Sequence, residues 1–211
     1  SGGVDAERAG DAVVDAALAW VAELRSEPFL LWVHLYNAHA PYEPPEPFRS
    51  RWSSRPYAGE IGFVDSQIGR LLAGLPSTIA SQTIVAVVAD HGEGLGEHGE
   101  STHGLLLYQS TLRVPWLLRG AGLAPRRVSD PVSLADIAPT LLGLSDAVDD
   151  GALGATDGRD LSRALRAGEA PARAAVLAES RYPESLGWAA LVAVRRGDWK
   201  YVGSTSPRAD P

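Results

Sequence analysis

The sequence predicts an α/β protein, with a mostly parallel or mixed central sheet flanked by helices and a small antiparallel sheet near the C-terminus. Three observations carry this expectation. Residues 84–89, IVAVVA, form a short β-branched run with the composition of a strand buried on both faces. Residues 57–75 repeat apolar side chains at intervals of three and four, the spacing of an amphipathic helix. Beyond residue 174, three short β-prone runs alternate with glycine-containing turns, the pattern of strands joined by tight connections.

Composition narrows the function classes. The 211 residues suffice for one sizeable core, and 45% hydrophobic with 21% charged residues marks a globular chain. A formal charge of −7 argues against non-specific binding to nucleic acid or to anionic membranes. The absence of cysteine excludes disulfides and thiolate metal sites within these residues. No apolar run approaches membrane-spanning length, and residues 1–15 lack a signal-peptide pattern.

In chain order, residues 1–3 read as a loose end. Residues 5–24 read as an amphipathic helix carrying Val13, Ala17, Trp20, Val21 and Leu24, with Asp5 or Asp11 near its first turn. Residues 29–36, FLLWVHLY, read as a second core strand, with His34 inside it as a structural histidine. Residues 41–56 hold several prolines and read as an ordered loop or rim; Trp52, Arg49, Arg51 and Arg55 either face an anionic substrate or are part of a solvated loop. The helix over 57–75 follows, its stripe running through Tyr57, Ile61, Val64, Ile68, Leu71, Leu72 and Leu75. After the central strand, residues 105–112 read as a short helix or extended turn, 114–119 as a strand opened by Pro115, and 128–134 as another short strand. Residues 134–142 read as a helix with Asp136 as its cap and Pro139 in its first turn. Residues 145–160 are rich in Asp and Gly without calcium-loop spacing, so they read as a surface loop. One or two helical turns over 161–167 precede strands at 174–179, 189–195 and 199–202, and residues 205–211 read as a frayed end.

The chemistry concentrates at the end of the central strand. Asp90, His91, Gly92 and Glu93 follow the apolar run directly, and a glycine-rich loop carries His98 and His103. Open α/β sheets place their chemistry at the carboxyl ends of strands. Aspartate and histidine also supply oxygen and nitrogen ligands for a divalent cation. His39 lies just after the 29–36 run, in the same kind of position.

Asp90-His91-Gly92-Glu93, then Gly96-Glu97-His98-Gly99 and His103-Gly104, resembles the metal-binding segment of the sulfatases, members of the alkaline phosphatase superfamily. Tyr108 through Arg113-Val114-Pro115 resembles its continuation. His39-Ala40-Pro41-Tyr42 resembles the family's substrate-contacting histidine segment, and Tyr57-Ala58-Gly59-Glu60 with Asp65, Gly69, Arg70 and Leu71 the helix between the two. The motifs stand in the family's order over residues 28–145.

The resemblance implies an incomplete alkaline-phosphatase-like fold. Residues 1–145 would form the C-terminal half of a sulfatase-like catalytic α/β domain, and 146–211 a loop plus a small C-terminal α+β subdomain. It implies Asp90 and His91 as metal ligands and His39 and His103 as catalytic contacts to the ester. The expected ion is calcium, with zinc or manganese as alternatives favoured by the His91 nitrogen. The expected substrate is a small-molecule or glycan sulfate ester, or a phosphate ester. In the family, the nucleophile and an aspartate pair lie upstream of these motifs, so the chain is expected to be the C-terminal part of a longer enzyme. Many sulfatases carry a lysine in the loop before the Tyr-containing segment; this sequence has none there, and the resemblance implies that His103 takes that role. That departure keeps open a phosphate-directed relative: a phosphodiesterase, phosphonate hydrolase or phosphoethanolamine transferase. A non-catalytic anion-binding module is the third reading. Glu93 and Glu97 are candidate partners that orient histidines, whereas Glu100 reads as a solvated loop carboxylate.

Overall fold

The amphipathic helix expected near the N-terminus is present in the computed structural model of the chain, which describes residues 8–24, 27–120, 122–145, 147, 154–171 and 175–205. It spans Gly10–Glu23 (α1) and carries Asp11 in its first turn, where a carboxylate complements the helix dipole. Its buried stripe is Val14, Ala17 and Val21, while Trp20 remains exposed, so the apolar face is displaced from the expected one. Asp5 and the expected loose end at 1–3 lie outside the described residues.

Two compact units divide the chain, Ser1–Ser81 and Gln82–Pro211. In the first unit, the proline-rich loop contains a helical turn at Phe48–Arg51 (α2), followed by the long helix Pro56–Gly74 (α3) with Pro56 at its start. The face of α3 that is buried is Gly59, Glu60, Phe63 and Gln67, not the stripe through Ile61, which is exposed. A polar clasp also joins the two helices. Arg70 of α3 pairs with Asp15 and donates through Nη2 to the Asp11 carbonyl at 2.6 Å, and its Nε donates to Gln67 Oε1 at 3.0 Å. These bonds link the exposed edges of α1 and α3. A further helical turn, Ser77–Ala80 (α4), ends the unit.

The run at 29–36 is not a strand of any described sheet. Its residues nevertheless alternate strictly in exposure: Phe29, Leu31, Val33 and Leu35 are half-buried, while Leu30, Trp32, His34 and Tyr36 face outwards. Period-two exposure is the signature of extended backbone. Composition made this run strand-like, but a strand also needs a hydrogen-bonding neighbour. Trp32, 85% exposed, lies on its uncovered face.

The second unit opens on the central strand, Val85–Val88 (β1). It pairs antiparallel with Trp116–Arg119 (β2), in a register that sets Val85 opposite Arg119 and Val88 opposite Trp116. The α/β class holds. However, β1 is half-buried rather than buried on both faces, because β2 is its one partner among the described residues. Between the two strands lie the glycine-rich loop and the helical turn Gln109–Leu112 (α5).

The strand expected at 128–134 is absent. Ser133 instead opens a 3₁₀ turn at Leu134–Asp136 that leads into the helix Ile137–Ser145 (α6). The cap is reciprocal. Ser133 Oγ accepts from Ala135 N at 3.3 Å, and Asp136 Oδ2 accepts from Ser133 N at 2.9 Å. Asp136, fully buried, also accepts from Arg159 N at 2.8 Å, tying the later loop to the helix start.

Helix Ser162–Ala167 (α7) precedes the C-terminal sheet of Val176–Ser180 (β3), Leu191–Arg196 (β4) and Trp199–Ser204 (β5), antiparallel in that order. The row Ala178–Ala193–Val202 lies on the face that buries Ala193. The expected loop at 145–160, the strand start at 174 and the frayed end at 205–211 fall partly outside the described residues.

Candidate functional site

The loop after β1 closes on itself because two of its glycines allow backbone to approach backbone. Gly92 donates to the Thr111 carbonyl at 2.7 Å, and a Cβ there would lie 2.1 Å from the Ser110 carbonyl oxygen. Gly94 donates to the Thr102 carbonyl at 2.9 Å, and a Cβ there would meet that oxygen at 2.5 Å. Only glycine fits such contacts. Residues 90–104 therefore form a tight hairpin-like loop anchored on α5.

Asp90 stands at the strand's end with its carboxylate 82% exposed. Its Oδ1 accepts from the His91 backbone N–H at 3.0 Å, and its Oδ2 lies 3.7 Å from His91 Nε2. His91 Nδ1 lies 2.8 Å from the Gly92 carbonyl oxygen. A carbonyl only accepts, so Nδ1 carries the hydrogen, and in the neutral ring Nε2 carries the lone pair. Two electron-pair donors, one oxygen and one nitrogen, thus face each other across a gap that a cation would fill.

The ring of His103 stacks on that of His91, with centroids 3.9 Å apart. Its Nδ1 lies 3.1 Å from Oε1 of the buried Glu93. The carboxylate holds the hydrogen on Nδ1 and fixes the ring plane. The loop thus brings Asp90, His91, Glu93 and His103 together within the second unit. His39 belongs to the first unit, where its ring stacks on Tyr36 at 4.6 Å and its Nδ1 lies 2.7 Å from the Ala40 carbonyl oxygen.

Three further residues shape the loop. Glu100 is not a solvated carboxylate: it is 3% exposed, and its Oε1 accepts from the Leu105 and Leu106 backbone N–H groups, both at 2.9 Å. Its neighbours in sequence are polar, and the loop's inward fold is invisible in them. Glu97 accepts from Leu95 N at 2.7 Å, and this backbone hydrogen bond holds its carboxyl below the usual range. His98 adopts a left-handed φ of 58° and stacks on Tyr108 with centroids 3.7 Å apart. A non-glycine residue at that φ is held there by its surroundings, and the Tyr108 stack is the visible restraint.

The C-terminal sheet supports the far side of the same loop. Ser180 donates to the Gly104 carbonyl, Lys200 to the Leu107 carbonyl, and Arg195 to Gln109 Oε1 at 3.3 Å. Burial, with Arg195 nearby, holds the Lys200 ammonium below the usual lysine range. Sequence reading missed these braces, since they join residues 76 to 93 positions apart.

Removing the Glu100 acceptor is expected to loosen the loop. Glu100→Ala leaves two part-buried backbone donors without this acceptor, at a total cost of about 1–3 kcal/mol. The expected outcome is a clear fall in Tm for the 211-residue chain. Glu100→Gln, which keeps an acceptor oxygen, should fall less. Equal Tm values for wild type and Glu100→Ala would contradict this account.

Among the described residues, no group of three or more His, Cys, Asp or Glu side chains that could hold a metal ion is present. No helix among them is long and apolar enough to cross a membrane.

The sequence model of the family described as Sulfatase matches residues 6–147. A choline-sulfatase of Rhizobium meliloti is 33% identical over 153 residues, covering 72% of this chain and 29% of that protein. A steryl-sulfatase of Mus musculus is 32% identical over 169 residues, covering 73% of this chain and 27% of that protein. A crystal structure of a putative sulfatase from Bacteroides fragilis superposes with a TM-score of 0.78 at 20% identity, covering 95% of this chain and 50% of that one. The chain thus spans 29% and 27% of these two curated relatives and half of the solved chain.

Proposed function

Because the chain belongs to the sulfatase family, within the alkaline phosphatase superfamily, we propose that the intact protein is a metal-dependent hydrolase of sulfate esters. The observation that carries this reading is the Asp90–His91 pair, with two lone-pair donors 3.7 Å apart directly after the central strand. Their chemistry fits a divalent cation, calcium first, with zinc or manganese as alternatives. A bound cation supplies Lewis-acid stabilisation of charge on the ester oxygens. The remaining ligands and the nucleophile are assigned to residues beyond these 211; with no cysteine here, a cysteine-derived nucleophile has to come from elsewhere in the protein.

The chain's own residues would then do the following. Asp90 and His91 hold the cation. Glu93 keeps the hydrogen on His103 Nδ1, so that Nε2 is the nitrogen His103 presents to the ester or its leaving group. His39 is assigned to substrate contact by its motif, with its own Nδ1 hydrogen engaged by Ala40 O. His103 in place of lysine also favours a second reading, a phosphate-directed relative.

The test is kcat/KM of the intact protein for p-nitrophenyl sulfate against a p-nitrophenyl phosphate diester, with metal content assayed. A preference for the sulfate ester is expected; a preference for the diester moves the assignment to the second reading. Turnover of neither, with metal bound, removes the hydrolase assignment. The 211-residue chain alone is expected to turn over neither substrate measurably, because half a ligand set holds a divalent cation weakly.

A further inference from the structure

The C-terminal sheet presents two unlike faces. Leu177, Val194 and Tyr201 form one cross-strand row on the exposed face. On the other face, Val176, Arg195 and Lys200 form a row, and Ser180 stands four residues beyond Val176 on β3. An even step along a strand returns the side chain to the same face. Each strand therefore sends one donor from this face to the segment that follows His103. Ser180 Oγ donates to the Gly104 carbonyl, Lys200 Nζ to the Leu107 carbonyl, and Arg195 Nη1 to Gln109 Oε1 at 3.3 Å. The rows of Val176 and Ser180 are about 13 Å apart at the usual strand rise. The chain from Gly104 to Leu107 or Gln109 spans about 10–17 Å when extended. Residues 104–109 thus lie along this face, with the His103 end at Ser180.

Ser180 acts beside a residue that the site uses. Gly104 takes a φ of 94°, a conformation glycine enters without a Cβ penalty, and its backbone has no stiffness with which to hold His103. Bonds to other groups hold it instead. The peptide joining Gly104 to Leu105 is gripped at both ends: its N–H donates to Glu100 Oε1 at 2.9 Å, and its carbonyl accepts from the buried Ser180. On the other side of His103, the Thr102 carbonyl accepts from Gly94 N at 2.9 Å. Glu100 and Gly94 belong to the loop and move with it, so their bonds fix its shape. Ser180 belongs to a three-stranded sheet, so its bond fixes the loop's place. The ring steadied in this way is the one whose Nδ1 lies 3.1 Å from Glu93 Oε1 and which stacks on His91.

We propose that Ser180 is a positioning residue for His103. Its hydroxyl anchors Gly104, so that the His103 ring meets Glu93 and presents Nε2 in a single orientation. Lys200 acts in the same sense from Leu107, further along the chain. The C-terminal sheet is by this route a working part of the site. The inference rests on the assignment of His103 to the ester in one respect, the effect on turnover; the effect on the ring is independent of it.

Two measurements test the proposal. The first is the His103 tautomer, read from the ring ¹⁵N shifts in NMR of the protein at a pH where the ring is neutral. Wild type should carry the hydrogen on Nδ1, Ser180→Ala should show a mixture of both tautomers, and Ser180→Thr, which keeps a hydroxyl, should restore the wild-type signal. The second is kcat and KM of the intact protein for p-nitrophenyl sulfate, with metal content beside them. Ser180→Ala should lower kcat about tenfold, the scale of losing a group that orients a functional histidine, with KM and bound metal unchanged. Ser204→Ala is the control, since Ser204 stands in the row of Ser180 and is exposed. A wild-type tautomer or unchanged kcat in Ser180→Ala, no rescue by Ser180→Thr, or an equal loss in Ser204→Ala would overturn the proposal. If Ser180→Ala does not fold, Lys200→Met decides: a shifted tautomer supports the proposal and an unshifted one overturns it. A tautomer shift in Ser180→Ala, beside a wild type that turns over no sulfate ester, would sink the hydrolase and support the positioning role. Aryl sulfate turnover with no tautomer shift would sink the positioning role and spare the hydrolase.

Discussion

Asp90→Ala in the intact protein is expected to abolish metal retention and to lower kcat/KM for an aryl sulfate far more than His98→Ala does. Asp90 is fixed by the end of β1, and its carboxylate faces His91 Nε2 at 3.7 Å. Under the proposed metal assignment, removing it would delete one of the two cation donors and the negative charge that would offset the cation. Lewis-acid stabilisation is worth several kcal/mol, so the loss should be about a thousandfold or more. His98 instead stacks on Tyr108 at a strained φ, a bracing role whose loss is on the order of 10–100-fold. Metal content measured beside kcat/KM separates the two. Near-normal metal and activity in Asp90→Ala would remove this loop from the metal site altogether.

The second large effect is expected at a residue with no side chain. Gly92→Ala would place a methyl carbon 2.1 Å from the Ser110 carbonyl oxygen, against backbone that has no rotamer to yield. The loop must move away from α5, breaking the Gly92 N–H bond to Thr111 and shifting Asp90, His91 and Glu93 together. Overpacking of this kind costs about 1–3 kcal/mol in stability. A displacement near 1 Å at reacting groups costs about a hundredfold in rate. Both a lower Tm and a collapse of kcat/KM are therefore expected. Gly69→Ala is the matched control: it lies inside α3, and an added Cβ there meets nothing within 4 Å. It should be neutral or slightly stabilising, by up to about 1 kcal/mol. Equal behaviour of the two variants would show that the close approach at Gly92 does not matter.

Local signals carried much of the reading. The helices α1, α3 and α7, the strands β1 and β2 and the C-terminal meander all follow from periodicity, β-branched runs and turn residues, which act within a few positions of themselves. The same holds for the clustering of Asp90, His91 and Glu93, since a loop leaving a strand places neighbours in sequence close in space.

Tertiary structure decided the rest, because the deciding partners are distant in sequence. Residues 29–36 have a strand's composition and even its alternating exposure, yet no described strand pairs with them; pairing is a property of two segments, and one segment's residues do not report it. The buried face of α3 runs through Gly59, Glu60, Phe63 and Gln67 rather than the stripe through Ile61, a choice that depends on what packs against the helix and that hydrophobic spacing alone does not encode. Ser133 and Asp136 turned an apparent strand into a capped helix start, helped by Arg159 from a later loop. Glu100 shows the same physics at the site. A glutamate beside glycine and serine looks solvated, and only the loop's closure brings two backbone N–H groups to bury it. The residue types fixed which chemistry this loop can perform; which of its carboxylates face solvent and which hold the loop shut depended on contacts that exist only once the chain has folded.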